Sequence, residues 1–484
     1  MKSVSKISKY ISVIALSATV LTACKKEYLS PIPQTNLSDA TAFSSADRIQ
    51  QQVFGVYAAV KSGQFLGGRG LVYQDVRGEE WINVTNNGVT AVGVWNFSIL
   101  SNDNQVENMW SAGYGAINRA NVVLEGIDAN PTVISAARAA ALKAEVRFCR
   151  ALSYFYLQSL YARRPFNADN GAGLSVPLRL VPNKSPEGAN MARATQAQVF
   201  NQILEDLNYG VANLPTTYGA VGDSNVTRAH RNAAIAMKMR VFMHMNRWDS
   251  VIAMGNLLVS AAAPFQSPNN IAHRLAPSVL SPFRAPYTNA ENIFSLPMSN
   301  TNSPGGQNGL GQYWTTEFGL NGTGTSILAD ATWSATDARK TNFLIPQAGT
   351  TPARWTKFND DLNNYVPIVR YAEVMLNLAE ALARQESGTA VNARALALLN
   401  AVRQRSDASV TFAPANKQAL IDLILNERRI ELLGEGFRSL DIMRQVIPFP
   451  AKASVSAVPP TSSSYVWPIP ASELQLNNLM VPNN

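Results

Sequence analysis

Residues 371–405 read YAEVMLNLAEALARQESGTAVNARALALLNAVRQR, and this stretch decides the fold. Apolar residues recur at spacings of three and four on both sides of Ser387 and Gly388, as they do on one buried helical face. The pattern predicts a helix over residues 371–385 and a second helix over residues 391–405. Alanines in both segments would let the two helices approach each other closely. The stretch therefore predicts a helical pair.

A second helical pair is predicted earlier in the chain, over residues 230–246 and 248–260. Each pair is about 34 residues long, which is the length of a tetratricopeptide repeat. Two such units cannot bury their apolar faces alone. We therefore expect the helices predicted over residues 135–161 and 417–433 to complete the stack.

Other segments carry the start signals of helices. Ser44 or Ser45 is predicted to cap a helix that runs to residue 61, and Thr195 with Gln198 forms the pattern of a capping box. A further helix is predicted over residues 107–127. The fold class is therefore mainly α, a tetratricopeptide-like scaffold of helical pairs with large irregular insertions that contain loops and short strands. The scaffold segments are predicted at 45–61, 107–261 and 367–445.

The predicted insertions, residues 62–106 and 262–366, are rich in Gly and Asn and lose the helical period. An irregular stretch of this length in a helical scaffold is usually functional. Each insertion carries aromatic residues, which could offer flat faces to a sugar ring. Alternatively, these side chains pack the loops onto the helices, since Trp is highly buried on average. The predicted ligand-binding residues are Trp81, Trp95, Tyr313, Trp314 and Phe318.

The N-terminus has the pattern of an exported lipoprotein. Three lysines precede an apolar run at residues 11–21, which is too short to span a bilayer and typical of a signal peptide. Leu21, Thr22, Ala23 and Cys24 then resemble the lipobox of bacterial lipoproteins. The prediction is a signal peptide over residues 1–23 and lipid attachment at Cys24. A tether over residues 24–44 and a single domain over residues 45–484 would follow.

Charge argues against a nucleic-acid partner. The chain has a net charge of +8, and about +5 remains when the three signal-peptide lysines are removed (8 − 3). No run of five or six Lys or Arg residues is present. Of the two cysteines, Cys149 lies in an apolar helical pattern, where a buried thiol that acts as a small hydrophobic group is expected. We expect no nucleic acid to bind.

Metal and cofactor chemistry is not expected. The histidines are His230, His244 and His273, and the first two would lie roughly 21 Å apart on one helix. They could not share an ion, whereas a zinc site needs three or four ligands. The glycine-rich residues 67–70 do not fit a dinucleotide-binding fingerprint, and a Walker phosphate loop is absent. We therefore predict no metal and no cofactor.

Carboxylates are the remaining candidates for catalysis. Glu427, Glu431 and Glu435 recur at intervals of four, and nearby arginines favour a structural ion-pair network rather than acid–base catalysis. These arginines are Arg428, Arg429 and Arg438. Glycoside hydrolysis is harder to exclude, because two carboxylates suffice at any sequence spacing. The available acids are Asp75, Glu79, Glu80, Asp103 and Glu107. Nothing in the sequence selects a pair among them.

Several motifs resemble those of the SusD/RagB family of surface nutrient-binding lipoproteins from Bacteroides-type bacteria. The most specific match is the segment that runs from Glu427 through Gly436 to Asp441 and Arg444. Other matches are Tyr28-Leu29, residues 54–57, the acidic segment 75–80, residues 145–155, 379–381 and 399–405, and the closing segment from Trp467 to Glu473. The similarity covers nearly the whole mature chain.

The resemblance implies a helical scaffold that faces a TonB-dependent SusC-like outer-membrane transporter, with the insertions as its ligand face. The predicted function is cell-surface capture of a nutrient, an oligosaccharide or a peptide, without catalysis. The predicted location is the outer membrane, through the lipid anchor and exposed at the surface. Two alternatives stay open at this point. The protein could be a surface glycoside hydrolase, or a helical-repeat assembly lipoprotein that binds no small ligand.

Overall fold

A computed structural model describes residues 39–186, 188–219, 222–269, 271–360 and 362–483. The predicted signal peptide, lipid attachment at Cys24 and tether up to residue 38 lie outside the described residues. The chain is mainly helical, as predicted.

The scaffold is built from helices α1 to α11. They are α1 Ala46–Val60, α2 Arg69–Val76, α3 Asn104–Ala129, α4 Ala136–Tyr161, α5 Gln196–Asn213, α6 Arg231–His244, α7 Trp248–Leu258, α8 Tyr371–Gln385, α9 Ala393–Ser406, α10 Lys417–Glu431 and α11 Arg438–Arg444. Short helical turns are Asp39–Ala42, Val92–Trp95, Phe166–Ala168, Ser224–Thr227, Ser281–Phe283, Leu310–Gln312, Tyr313–Glu317, Ile327–Ala329, Ala338–Phe343, Ser463–Tyr465 and Ala471–Leu476.

Helices that are neighbours in sequence also pack against each other. Helix α1 contacts α3, and contacts then run in order from α3 through α4, α5, α6, α7 and α8 to α9, while α10 packs on α8. Contact between successive helical pairs is the arrangement of a repeat solenoid. The predicted tetratricopeptide-like scaffold is confirmed.

The predicted helix bounds hold to within a few residues. Helix α8 has the predicted limits, and α9 begins two residues later than predicted. Ser45 caps α1, because its side chain accepts the Arg48 N–H at 3.3 Å. Thr195 and Gln198 form the predicted capping box of α5. These ends were predictable because capping residues satisfy backbone N–H groups locally.

The first insertion contains a helix that the sequence did not predict. Helix α2 is buried along its whole length, so it shows no alternation of apolar and polar faces. A periodicity argument cannot detect a helix that has no exposed side. The expectation of only loops and short strands before Trp81 was therefore wrong.

Short antiparallel strand pairs connect the insertions. Strand β1 Trp81–Asn83 pairs with β3 Phe318–Leu320, β2 Asn292–Leu296 with β6 Val366–Arg370, and β4 Leu344–Ile345 with β5 Arg354–Trp355. The β1–β3 pair links the first insertion to the second. The β2–β6 pair brackets the second insertion and leads into α8.

Within the residues that the structure covers, none of the helices combines the length and apolar character that a membrane crossing requires.

Candidate ligand-binding site

The five predicted ligand-binding aromatics form one cluster, and we call Trp81, Trp95, Tyr313, Trp314 and Phe318 the aromatic cluster. The rings of Trp81 and Trp314 stack with centroids 4.0 Å apart and planes 19° from parallel. Tyr313 and Phe318 extend the cluster, with centroids 6.3 Å apart. The structure therefore does bring residues of the two insertions together, across the β1–β3 pair.

The aromatic cluster is sealed inside the molecule. Trp81, Tyr313, Trp314 and Phe318 have no exposed surface, and Trp95 is 8% exposed. A ligand ring cannot stack on a face that other side chains already cover. The prediction that these side chains present an exposed platform is wrong, and the alternative of loops packed onto the core describes their position.

Indole hydrogen bonds hold the cluster in place. Trp95 Nε1 donates to the Trp81 carbonyl at 2.8 Å, and Trp314 Nε1 donates to the Gly434 carbonyl at 3.1 Å. Gly434 has a φ of +83°, and a Cβ there would lie 3.2 Å from Trp314 Nε1. Glycine is therefore required for this turn and for the close approach of the ring. The cluster thus docks both insertions onto the turn between α10 and α11.

The three glutamates of the most specific sequence motif lie in a buried charge network. Its acids are Glu291, Asp337, Glu427, Glu431 and Glu435, and its cations are Arg339, Lys357, Arg370, Arg403 and Arg405. We call these ten residues the charge network. The equal numbers of acids and cations balance the formal charge. Arg370 makes a bidentate pair with Glu435, with both N–O distances at 2.7 Å.

The charge network keeps Glu431 and Arg370 ionised. Burial alone would raise the pKa of Glu431, but Arg405, Arg370 and Arg339 hold it well below its usual range. Burial likewise opposes the charge on Arg370, yet its three glutamate partners raise the pKa of its guanidinium. Neither group can exchange protons with a substrate near neutral pH, and the acids of the network are buried, so its role is structural.

The structural network was predicted, but its partners were predicted wrongly. Arg428 binds Asp441 instead, at 3.1 Å, while Arg429 and Arg438 bind Glu79 and Glu80 of the first insertion. Glu427 and Glu431 lie four residues apart on α10, so both side chains can point to the same buried side of the helix. Distant segments of the chain supply their cationic partners there.

The carboxylates considered for hydrolysis do not converge on an open site. Asp75, Glu79 and Glu80 are at most 2% exposed. Burial raises the pKa of Asp75 to about 7, although backbone N–H groups around Phe437 oppose the shift. Glu107 lies apart at the start of α3, where it accepts hydrogen bonds from Ser472. Asp75, Glu79 and Glu80 therefore lack the access to solvent that a glycoside would need.

The histidines do not form a metal site in the part of the chain that the structure covers. His230 and His273 stack with centroids 5.4 Å apart, a contact that the sequence did not indicate. Burial lowers the pKa of His230 to about 3 and that of His273 to about 4. Both rings are therefore neutral near pH 7.

The candidate ligand site is a wide cleft of about 640 Å³ beside α10 and α11. We call it the polar cleft. Six of its lining side chains carry planar hydrogen-bonding groups: Asp330, Asp422, Asn426, Arg429, Arg438 and Gln445. Its volume lies within the range of about 300–1,000 Å³ that is typical of small-molecule sites.

Both insertions hold the two guanidinium groups that line the polar cleft. Arg429 Nε donates to Glu80 at 2.8 Å, and its Nη2 donates to the Thr325 carbonyl at 2.6 Å. Arg438 Nε donates to Glu79 at 2.9 Å. Glu79 and Glu80 belong to the first insertion, and Thr325 belongs to the second. The two guanidinium groups are thereby fixed before a ligand arrives, which reduces the entropy cost of binding.

The opposite wall offers carboxylates and amides. Asp330 accepts hydrogen bonds from Thr332 at 2.7 Å and from Asn426 at 2.9 Å. Burial would raise the pKa of Asp330, but these hydrogen bonds outweigh it and lower the pKa below its usual range. Asp422 is exposed on α10 and accepts a hydrogen bond from Gln418. The wall therefore presents oriented hydrogen-bond acceptors, and Asp330 among them stays ionised.

Sequence reasoning missed the polar cleft because its residues are far apart in the chain. Arg429 and Arg438 belong to a motif for which the sequence predicts only a scaffold role. Asp330 lies in the second insertion, where the predicted ligand-binding residues are all aromatic. The available signal was the cluster of polar residues on the exposed side of α10, such as Asp422 and Asn426.

Comparison with known proteins gives a consistent result. Residues 27–243 match a family described as "Starch-binding associating with outer membrane", and residues 287–484 match the SusD family. A SusD superfamily protein from Bacteroides fragilis has a solved structure that is similar with a TM-score of 0.80 and 34% identity. That match covers 90% of this chain and 99% of the other.

Two further proteins are similar at lower identity. SusD-like protein P2 of Formosa agariphila is 23% identical over 93% of this chain and 94% of its own length. Surface glycan-binding protein A from Bacteroides uniformis has a similar fold, with a TM-score of 0.69 at 20% identity, over 91% of this chain and 99% of the other. Two other curated relatives are matched over only 54% and 40% of their own lengths.

The B. fragilis structure is above 30% identity over almost its whole length, and the two family models match both halves of this chain. The chain belongs to the SusD/RagB family.

Proposed function

We propose that the protein is a non-catalytic lipoprotein of the cell surface that captures oligosaccharides and passes them to a SusC-like TonB-dependent transporter. Family membership supports a carbohydrate ligand, since one matching family is described as starch-binding and associated with the outer membrane. The printed name of the B. uniformis protein describes it as a surface glycan-binding protein. The lipobox-like segment at Cys24 supports the anchor.

The polar cleft is the observation that carries the proposal. Sugar hydroxyls donate and accept hydrogen bonds in pairs, and planar side chains such as Asp330, Asn426 and Arg438 match that pattern. Leu423 and Ile447 add apolar surface beside them. A wide cleft suits a chain of sugars better than a single small molecule, because a chain can continue beyond its rim.

The state of the acids in the cleft supports binding rather than hydrolysis. A glycosidase needs one carboxyl group that stays protonated near the working pH and acts as general acid. The hydrogen bonds from Thr332 and Asn426 hold the Asp330 pKa low, so this group stays ionised. Behind the cleft, Arg438 and Arg429 lower the pKa of the buried Glu79. Burial and the charge of Glu79 instead raise the pKa of Glu80, which does not line the cleft. Ionised acceptors bind hydroxyl groups but do not protonate a leaving group.

The binding test uses the mature chain without its lipid cysteine. Calorimetric titration against a panel of maltooligosaccharides, xylooligosaccharides and mannan fragments should identify at least one ligand. Ala419 lines the cleft on α10, and we expect Ala419→Trp to fill the cleft and abolish binding. Ala415 is exposed just before the same helix and does not line the cleft, so Ala415→Trp is the matched control. Equal affinity of Ala419→Trp and wild type would refute the assignment of the site.

The alternatives differ in what happens to the ligand. Chromatography of the tightest-binding oligosaccharide after prolonged incubation should return it intact, whereas a hydrolase would release shorter products. An assembly protein would bind no oligosaccharide at all. Detergent extraction of the native lipoprotein, followed by affinity purification, should recover a barrel partner together with it. Recovery of the lipoprotein alone would contradict delivery to a transporter.

A further inference from the structure

A second cleft of about 420 Å³ lies beside helix α3, and it shares no lining residue with the polar cleft. Helix α3 forms its floor, and the short helix Ala471–Leu476 forms one wall. The segment that carries Arg179 and Asn183 forms the other wall. We call it the aromatic cleft. None of the predicted ligand-binding residues belongs to it.

The floor of the aromatic cleft combines two aromatic rings with an open position. Trp110 and Tyr114 lie one turn apart on α3, with ring centroids 4.7 Å apart. Tyr114 is half-buried, and burial raises the pKa of its hydroxyl well above the usual range, so the ring stays neutral. Gly115 follows it, and a Cβ added there would meet no atom within 4 Å. The helix thus leaves space for a ligand next to the tyrosine.

The polar groups of the walls are held in fixed orientations. Glu473 accepts hydrogen bonds from Trp110 Nε1 at 3.3 Å and from Asn477 Nδ2 at 2.8 Å. Asn118 donates to the Asn183 carbonyl at 3.2 Å and accepts the Asn183 N–H at 2.7 Å. Each carboxylate or amide oxygen has more than one lone pair, so these groups retain capacity for a ligand.

Hydrogen bonds also connect the two walls to each other. The buried Asn477 side chain accepts the Met191 N–H at 3.0 Å and donates to the Met191 carbonyl at 2.8 Å. The Asn478 N–H donates to the Asn190 side chain at 2.9 Å. The cleft therefore has a width that is set before binding, as expected of a built site rather than a gap between loops.

We propose that the aromatic cleft is a second carbohydrate site, which takes a single pyranose ring. The apolar face of a sugar would lie against Tyr114, above the open position at Gly115. Its hydroxyls would reach planar groups on both walls, an acid at Glu473 and a guanidinium at Arg179. One wall carries an acid and the other a guanidinium. This arrangement suits a neutral sugar, whose hydroxyls both donate and accept hydrogen bonds, better than it suits a ligand with a net charge.

The position of Gly115 allows the cleft to be filled without disturbing the core. Gly115→Trp should occupy the cleft, while Gly115→Ala adds one methyl group in open space and removes the same glycine. The probes are the methyl α-glycosides of glucose, mannose and galactose. Saturation-transfer difference NMR measures their binding to the purified mature chain, and circular dichroism confirms that each variant is folded.

We expect wild type and Gly115→Ala to bind at least one probe, and Gly115→Trp to lose at least tenfold in affinity, or about 1.4 kcal/mol. Ala419→Trp should bind the same probe as wild type does, because it blocks only the polar cleft. The proposal fails if no probe binds wild type, or if Gly115→Trp binds as wild type does. Failure of this second site leaves oligosaccharide binding in the polar cleft intact, so the two results are separable.

Discussion

The aromatic cluster and the charge network both fasten the insertions to the scaffold, but they do so by opposite physical means. The aromatic cluster removes apolar rings from water, and only a few hydrogen bonds orient them. The charge network removes ten charged groups from water and must pair every one of them. Burial stabilises the aromatic cluster directly, whereas the buried charge network is stable only if every charge is paired.

The difference predicts how each region tolerates change. A ring can be replaced by a smaller ring at the cost of lost contacts and a small cavity. A charge in the network cannot be removed alone, because its partners then remain buried without compensation. The network is therefore the more fragile of the two, although a matched exchange of several members for apolar groups could be tolerated.

The largest expected effect comes from Arg370, which pairs with Glu291, Glu431 and Glu435. Arg370→Met should lower the free energy of unfolding by about 5 kcal/mol, because three buried carboxylates lose a partner. Guanidinium-induced unfolding followed by circular dichroism measures the change.

The matched control for Arg370 is Arg384, which pairs with Glu380 one helical turn away and is partly exposed. Arg384→Met should cost at most about 1 kcal/mol, because Arg384 is partly exposed and the buried Glu380 keeps its bidentate pair with Arg444. Equal effects of the two variants would show that burial does not set the cost of removing a charge.

The next effect tests the aromatic cluster. Trp314→Ala should lower the free energy of unfolding by about 4 kcal/mol, since it deletes a fully buried ring that stacks on Trp81. Trp314→Phe should cost only about 1–2 kcal/mol, because an aromatic ring remains and the hydrogen bond to Gly434 is lost. The same unfolding assay measures both. A phenylalanine variant as unstable as the alanine variant would contradict the view that apolar burial dominates here.

The two regions also differ in how far the sequence could predict them. The spacing of apolar residues was enough to predict α8, and the capping residues were enough to predict the start of α5. Both features depend on contacts between residues that are close in the sequence. The partners of Glu431 were not predictable, because Arg339 lies 92 residues away in an insertion without a regular pattern. Sequence spacing favoured Arg428 instead, which lies beside it on the same helix.

The aromatic cluster shows a second limit. Trp81 and Trp314 were both predicted as ligand-binding residues, because their glycine- and asparagine-rich neighbours suggested exposure. Burial was decided by the pairing of β1 with β3, which connects segments more than 200 residues apart. The polar cleft was missed for the same reason, because its walls meet only when both insertions are folded.

A smaller effect distinguishes a buried charge from a buried neutral group. The pKa of Glu431 lies well below the usual range, so this carboxylate should not titrate between pH 7 and pH 5. His273 differs, because burial lowers its pKa to about 4, below the value of about 6.5 in the unfolded chain. Its contribution to stability is complete above pH 6.5 and is lost as the pH falls toward 4.

His273→Gln should therefore be less sensitive to acid than wild type. Between pH 7 and pH 5 the variant should gain about 2 kcal/mol relative to wild type, which is the cost of keeping one histidine neutral. Denaturant unfolding at the two pH values measures this difference, and Asp75, which titrates in the opposite direction, cancels because both proteins contain it. A constant difference between the two proteins would mean that folding does not change the pKa of His273.

The smallest expected effect on stability belongs to the polar cleft, where the side chains contact solvent rather than the core. Asp422 is exposed and accepts one local hydrogen bond from Gln418, so Asp422→Ala should change the free energy of unfolding by no more than about 0.5 kcal/mol. The same variant should weaken oligosaccharide binding in calorimetric titration. Loss of binding without loss of stability would show that Asp422 recognises the ligand and does not support the fold, unlike the residues of the aromatic cluster and the charge network. A variant that unfolds readily would instead make Asp422 part of the scaffold, and the polar cleft would then lose its support as a site that is free to recognise a ligand.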